Sequence, residues 1–212
     1  MDVISHALWA ALIAKLANFK EKMNYPAHRG AGYPFGQVLS RLHPRRQSVG
    51  VFRREIKLNA WVAAFWGAMP DVFAFVPLFI YLFYKLGTGT LDTSQFSHPE
   101  DFEPPKADTL FINRLTHFLY EMSHSLMVFF VVFIVVAFIY RKPIWEMAGW
   151  LLHIIIDIPT HSFQFYPTPF LWPFSDYKFD GISWADPYFL ALNYLLIFLV
   201  FLLVRRRYKL FS

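Results

Sequence analysis

The chain has no cysteine. That excludes a disulfide framework, a thiol nucleophile and thiolate-ligated zinc, so any metal ion has to be held by His, Asp or Glu. Charge is scarce as well: Asp, Glu, Lys and Arg make up 17% of the 212 residues, against 56% hydrophobic and 20% aromatic. This balance departs from soluble averages toward membrane proteins. No G-x-S-x-G elbow, P-loop or H-E-x-x-H occurs, which removes the serine-hydrolase, nucleotide-hydrolysing and zincin readings. There is no internal repeat, heptad array or low-complexity tract. The N-terminus lacks a basic n-region and an A-x-A-like cleavage site, and Asp2 with His6 would be foreign to a signal peptide, so it is read as a structural helix.

What the chain does have is long apolar runs. Leu58 to Lys85, Leu115 to Tyr140 and Pro187 to Val204 are long and apolar enough to span a bilayer. Two further runs, Val3 to Phe19 and Ile144 to Ile158, fall short of the usual ~20 residues and would cross obliquely or stop part-way. The expected fold class is all-α: a multi-pass transmembrane bundle of about five helices in one membrane-embedded domain, with a buried polar site facing outward.

Orientation follows from the short loops. Lys20 to Lys57 holds nine basic residues against Glu21 and Glu55, and Arg141-Lys142 and Arg205 to Arg207 end two other helices; these belong on the cytoplasmic side. Gly87 to Asn113 carries five acidic residues and only Lys106, and the aromatic loop at 162–187 is also poor in basic residues. Both are expected outside, with the N-terminus outside and the C-terminus inside. The net charge of +5 is accounted for by this topology rather than by nucleic-acid binding.

Ionisable groups inside the spans need a reason. A charged Asp at the bilayer centre costs roughly 2.5–3.5 kcal/mol on insertion scales, so such groups usually face the interior and are functional. In "HIIIDIPTHS", His153, Asp157 and His161 lie four and eight residues apart, within about 80° of one helical face; Pro159 makes the first two the safer pair, since it can end the helix before His161. In "THFLYEMSHS", His117, Glu121 and His124 share a face. Asp71 follows Pro70 in mid-span, and His6 lies near the outer end of the first helix. Taken singly, each has an ordinary reading: His6 as an interfacial group, His124 as an interhelical hydrogen-bond partner, and His117 with Glu121 as a pair facing outer water. Glu146, just after Pro143, suits a helix dipole. The conjunction favours function: His6, Asp71, His124, His153 and Asp157 come from four helices, and the basic residues of those spans, Lys15 and Lys85, stand toward span ends away from them. Imidazole plus carboxylate without thiolate suits zinc or another divalent transition ion, and the set is large enough for more than one ion. Ser123, Ser125 and Thr160 stand beside the histidines, either to fix their rings or to satisfy helix carbonyls.

The order "SHALWA", "GAMPDVF", "MSHSLM", "HIIIDIPTHS" and "PTPFLWPFSDYKFDGISW" resembles the YdjM-like family of membrane-bound metal-dependent hydrolases, which is distantly similar to zinc-dependent phospholipase C. The likeness covers most of the chain outside Lys20 to Lys57. It implies metal ligands at His6, Asp71, His124, His153 and Asp157, with His161 beside them, and residence in the bacterial cytoplasmic (inner) membrane. Where the family carries a basic pair before its Ser-flanked histidine, this chain has Leu119 and Tyr120.

The function expected is hydrolysis of a phosphoester or related ester, with a lipid or lipid-linked phosphate as the natural substrate and Asp157 or Glu121 assisting proton transfer. Two other classes compete: a metal or proton transporter, and an interaction protein with a structural metal whose basic loop binds acidic lipid or a cytosolic partner. Transport needs polar groups reaching both faces, whereas Val128 to Ile139 is wholly apolar. The loop after His161 is expected to lie over the site, with Trp172 and Trp184 flanking its mouth.

Overall fold

The computed structural model describes residues 1–24, 57–91, 111–164 and 166–210. They form α1 (Val3–Asn24), α2 (Ala60–Gly87), α3 (Phe111–Ser123), α4 (Leu126–Tyr140), a 3₁₀ turn (Trp145–Met147), α5 (Ala148–Thr160) and α6 (Pro187–Leu210), with no strand among the described residues. The chain is all-helical there, as expected. The described residues give fewer crossings than the five expected: among them, only α2 and the Pro187–Arg207 part of α6 are long and apolar enough to cross a membrane, and α3 with α4 adds a third if the pair counts as one broken span. Most of the basic loop at 20–57 lies outside the described residues, as does residues 92–110 of the acidic loop.

The run Leu115 to Tyr140, expected as one helix, is bent by 66° between α3 and α4. Ser125 is the cause within the chain: its backbone is extended and its hydroxyl accepts from the Val128 N–H at 3.2 Å, capping α4. A break frees backbone donors that hydrocarbon cannot satisfy. The loop after α5 satisfies them, since Leu126 N–H donates to the Phe170 carbonyl at 3.1 Å and the Ser125 hydroxyl donates to the Trp172 carbonyl. Trp150 Nε1 donates to Ser123 O at 2.6 Å from the other side.

Small residues let three backbones meet at one level. A Cβ on Gly67 of α2 would lie 2.7 Å from the His6 carbonyl oxygen of α1, and one on Gly149 of α5 would lie 2.4 Å from the Ala63 carbonyl oxygen of α2. Lipid tails are as apolar as Leu, so helices in a bilayer associate through this kind of close packing rather than through water exclusion. Beneath the crossing, Phe129, Met147, Trp150 and Ile154 form the core, with Trp66 stacked on Trp150 at 6.1 Å; such ring pairs add roughly 0.5–1.5 kcal/mol.

Side-chain amides tie the helix ends. Asn18 exchanges two 2.8 Å hydrogen bonds with the Leu58 backbone, joining α1 to the approach to α2. Asn59 caps α2, and its own N–H donates to Glu146 Oε1 at 3.0 Å, so Glu146 binds a neighbouring chain segment in addition to sitting at a helix start. Against α1 lies α6, through Leu12, Ile197 and Val204 and through Asn193, which accepts from Trp9 Nε1 and donates to Ser5 Oγ at 2.9 Å each.

Candidate metal centre

Three imidazoles are aimed by main-chain carbonyls. His153 Nδ1 lies 2.7 Å from Gly67 O, His161 Nδ1 2.7 Å from Tyr166 O, and His124 Nδ1 3.1 Å from Tyr120 O. A carbonyl only accepts, so each Nδ1 donates, with Ser123 Oγ at 2.9 Å a second partner for that of His124, and in the neutral ring the Nε2 lone pair then faces the other way. His124 and His153 thus face each other, Nε2 to Nε2, at 3.0 Å. Asp71 Oδ1 lies 3.4 and 3.6 Å from those two nitrogens, and Asp157 Oδ2 lies 3.5 and 3.0 Å from them. The four ligand atoms are all within 4.8 Å of one another, and all four residues are buried.

Such an arrangement is repulsive as it stands: two nitrogen lone pairs and two carboxylate oxygens converge. One proton would satisfy the nitrogen pair and leave the oxygens unmatched, whereas a divalent cation accepts all four. Asp157 Oδ2 is buried with no hydrogen-bond partner, at a cost that calls for a cation. The donor set therefore fits a metal ion, of the class that His and carboxylate ligands prefer.

Asp157 presents its other oxygen to a second group. Oδ1 is 2.6 Å from the Met1 ammonium, 2.9 Å from His6 Nε2 and 3.5 Å from His161 Nε2. His6 stacks on His153 at 3.7 Å, and both its ring nitrogens lack a hydrogen-bond partner although Nε2 is so close to Oδ1. The contact is short but the N–H is not aimed at the oxygen, so it is an electrostatic approach rather than a bond. Burial pushes the His161 pKa down to about 4, despite the opposing pull of Asp157, which leaves a neutral ring at ordinary pH.

Of the residues singled out in the sequence, His6, Asp71, His124, His153, Asp157 and His161 meet in this one region. Glu121 does not. Its Oε1 faces His117 Nδ1 at 3.5 Å, beside a small cleft with Tyr166, Pro167 and Lys178, and it is not among the converging ligand atoms. Two contributors were not anticipated. Tyr120 is buried, stacks on His124 at 3.8 Å and donates to Tyr166 O at 2.8 Å; its position four residues before His124 was the available signal. Gly67 supplies the carbonyl that orients His153, and nothing in an isolated glycine announces that.

The loop after α5 folds back on the helix end, as Asp180-Gly181 suggests. Gly181, Ile182 and Trp184 N–H groups donate to the His161, Pro159 and Thr160 carbonyls at 2.8–3.0 Å, and a Cβ at Gly181 would lie 2.3 Å from Pro159 O. Trp184 lines a cavity of about 480 Å³ that also touches Asp71 and His161. Trp172 goes elsewhere, packing edge-on against Phe118 at 6.1 Å near the helix break.

No protein-family model, no curated protein and no solved structure matches this chain.

Proposed function

We propose that the protein is a membrane-embedded, metal-dependent hydrolase of phosphoesters or related esters, with zinc as its ion, seated in the bacterial inner membrane with the site toward the outer side. The observation that carries this reading is the 3.0 Å approach of two Nε2 lone pairs between two buried carboxylates. The likeness to the YdjM-like hydrolases points the same way. A divalent ion supplies Lewis acidity and makes bound water acidic near neutral pH.

The residues have separable tasks. Asp71, His124, His153 and Asp157 Oδ2 hold the ion. Their geometry is fixed beforehand, because Gly67 O and Tyr120 O determine where the two rings point. Asp157 Oδ1 is turned toward the Met1 ammonium, His6 and His161, so a proton leaving an attacking water has this buried carboxylate and imidazole group to pass to. Glu121 takes no part in this step. His6, His161 and Asp157 Oδ1 gather around the Met1 ammonium, 2.6 Å from Oδ1 and 3.1 Å from His161 Nε2, so a cation already stands on that side of Asp157.

Transport is disfavoured by what lies beneath: the residues packed there, Trp66, Phe129, Trp150 and Ile154, offer no titratable group. Elemental analysis of purified protein should find at least one zinc per chain, with hydrolysis of a model phosphodiester that chelator abolishes. In His153→Ala both should be lost. Metal-free wild-type protein that is indifferent to chelator and to added zinc would refute the proposal.

A further inference from the structure

Next to the cluster, α2 turns an apolar stripe toward the cavity. Val72, Phe75, Val76 and Phe79 line it at the i, i+3, i+4, i+7 spacing of one helical face. The polar end is formed by Asp71 and His161. From Asp71 to Phe79 a helix rises about 12 Å, and the volume of about 480 Å³ falls in the ~300–1,000 Å³ range of small-ligand sites. Met1 and Asp2, just before α1, add polar groups to the lining, which Val3 and Trp184 complete. The α2 wall beyond Asp71 is apolar throughout, so a water-soluble polar ligand lying along it would be stripped of its hydration without replacement.

The outer edge of the stripe is open, with Val72, Val76 and Phe79 46%, 41% and 53% exposed. Because α2 is long and apolar enough to cross a membrane, the medium against that edge is hydrocarbon. We propose that the cavity takes a hydrocarbon chain of a membrane lipid, which enters sideways between α1 and α2 and brings the lipid's ester linkage to the Asp71–His161 end. That the lipid is a substrate rests on the hydrolase reading above; that it docks rests on the cavity alone.

The test uses the full chain in nanodiscs containing a phospholipid with a photoreactive diazirine in its acyl chain, with cross-links mapped by mass spectrometry. Labelling should concentrate several-fold on residues 72–79 over residues 131–138 of α4, which are comparably exposed. Val76→Trp, which fills the cavity, should remove that excess at unchanged metal content, and Ile134→Trp should not. In wild-type protein a long-chain alcohol should suppress the α2 labelling and ethanol should not, a readout that needs no variant to fold. Even labelling of the two helices, or equal suppression by the two alcohols, overturns the proposal. Preferential α2 labelling in a protein that hydrolyses no ester would sink the hydrolase reading and leave lipid docking standing; ester hydrolysis without that labelling would do the reverse.

Discussion

Gly67→Ala tests whether the crossing of α1 over α2 sets the metal centre. The added methyl would stand 2.7 Å from His6 O and 2.8 Å from Ala10 Cβ, where ordinary contacts begin at 3.4 Å, so α1 has to retreat by something under an ångström. Neither neighbour is the far end of a flexible side chain, so the shift passes to the backbone that carries His6. His6 would lose register with His153, on which it stacks at 3.7 Å, while the 2.7 Å hydrogen bond from His153 to Gly67 O is strained from the other side. Overpacking of this kind costs typically ~1–3 kcal/mol, and misplacing a group that orients a ligand costs about 10–100-fold in metal affinity. Thermal melts in detergent and zinc competition against a chromophoric chelator read the two effects. Gly87→Ala is the control, since a Cβ there meets nothing within 4 Å. If Gly67→Ala melts with Gly87→Ala and holds zinc as tightly as wild type, the crossing does not position the site.

Tyr120→Phe keeps the ring stacked on His124 and removes the hydroxyl that reaches Tyr166 O; it should cost about 1 kcal/mol of stability and weaken zinc by about tenfold, measured by the same competition, and an unchanged affinity would show that the hydroxyl does not hold the loop against the site. In metal-free protein burial holds the folded His161 pKa below that of an exposed ring, so its contribution is present in full above about pH 6.5 and is lost as pH falls, and His161→Gln should flatten that part of the melting profile, a slope equal to wild type counting against it. Because the chain is free of cysteine, single cysteines at Ser48 and Ser97 report topology directly: external reagent should reach 97 and not 48, and the opposite pattern would invert the orientation.

The polar convergence was legible because His6, Asp71, His124, His153 and Asp157 stand out against long apolar runs of sequence. Spacing served well where the helix is continuous. His153 and Asp157 are on one turn of α5, and His161 still donates its N–H to Asp157 O at 3.0 Å, so Pro159 did not carry it away. Spacing was less decisive in the other block. His124 also keeps its helical bond, to Tyr120 O at 2.9 Å, yet Glu121 turns to His117 and not to the ligand group, and α3 stops at Ser123. Nothing in "SHSLMVFFVV" marks the stop, since no proline or glycine is present; the acceptors that make it tolerable, Phe170 and Trp172, lie far along the chain. The carbonyls that orient the three rings are equally invisible, because a main-chain acceptor leaves no trace in residue type.

The broken span also fixes an order of events during biosynthesis. Ser125 is completed by a carbonyl 47 residues further on, a residue that leaves the ribosome after the stretch through Tyr140, since chains are made from the N-terminus at ~5–20 residues per second. Until the later loop arrives, the cheapest state for an uninterrupted apolar stretch in lipid is a straight helix with every backbone group bonded internally. On the membrane reading proposed above, the bend at His124 is therefore made after insertion, and the candidate metal centre is completed last, when the segment after α5 folds back against the break.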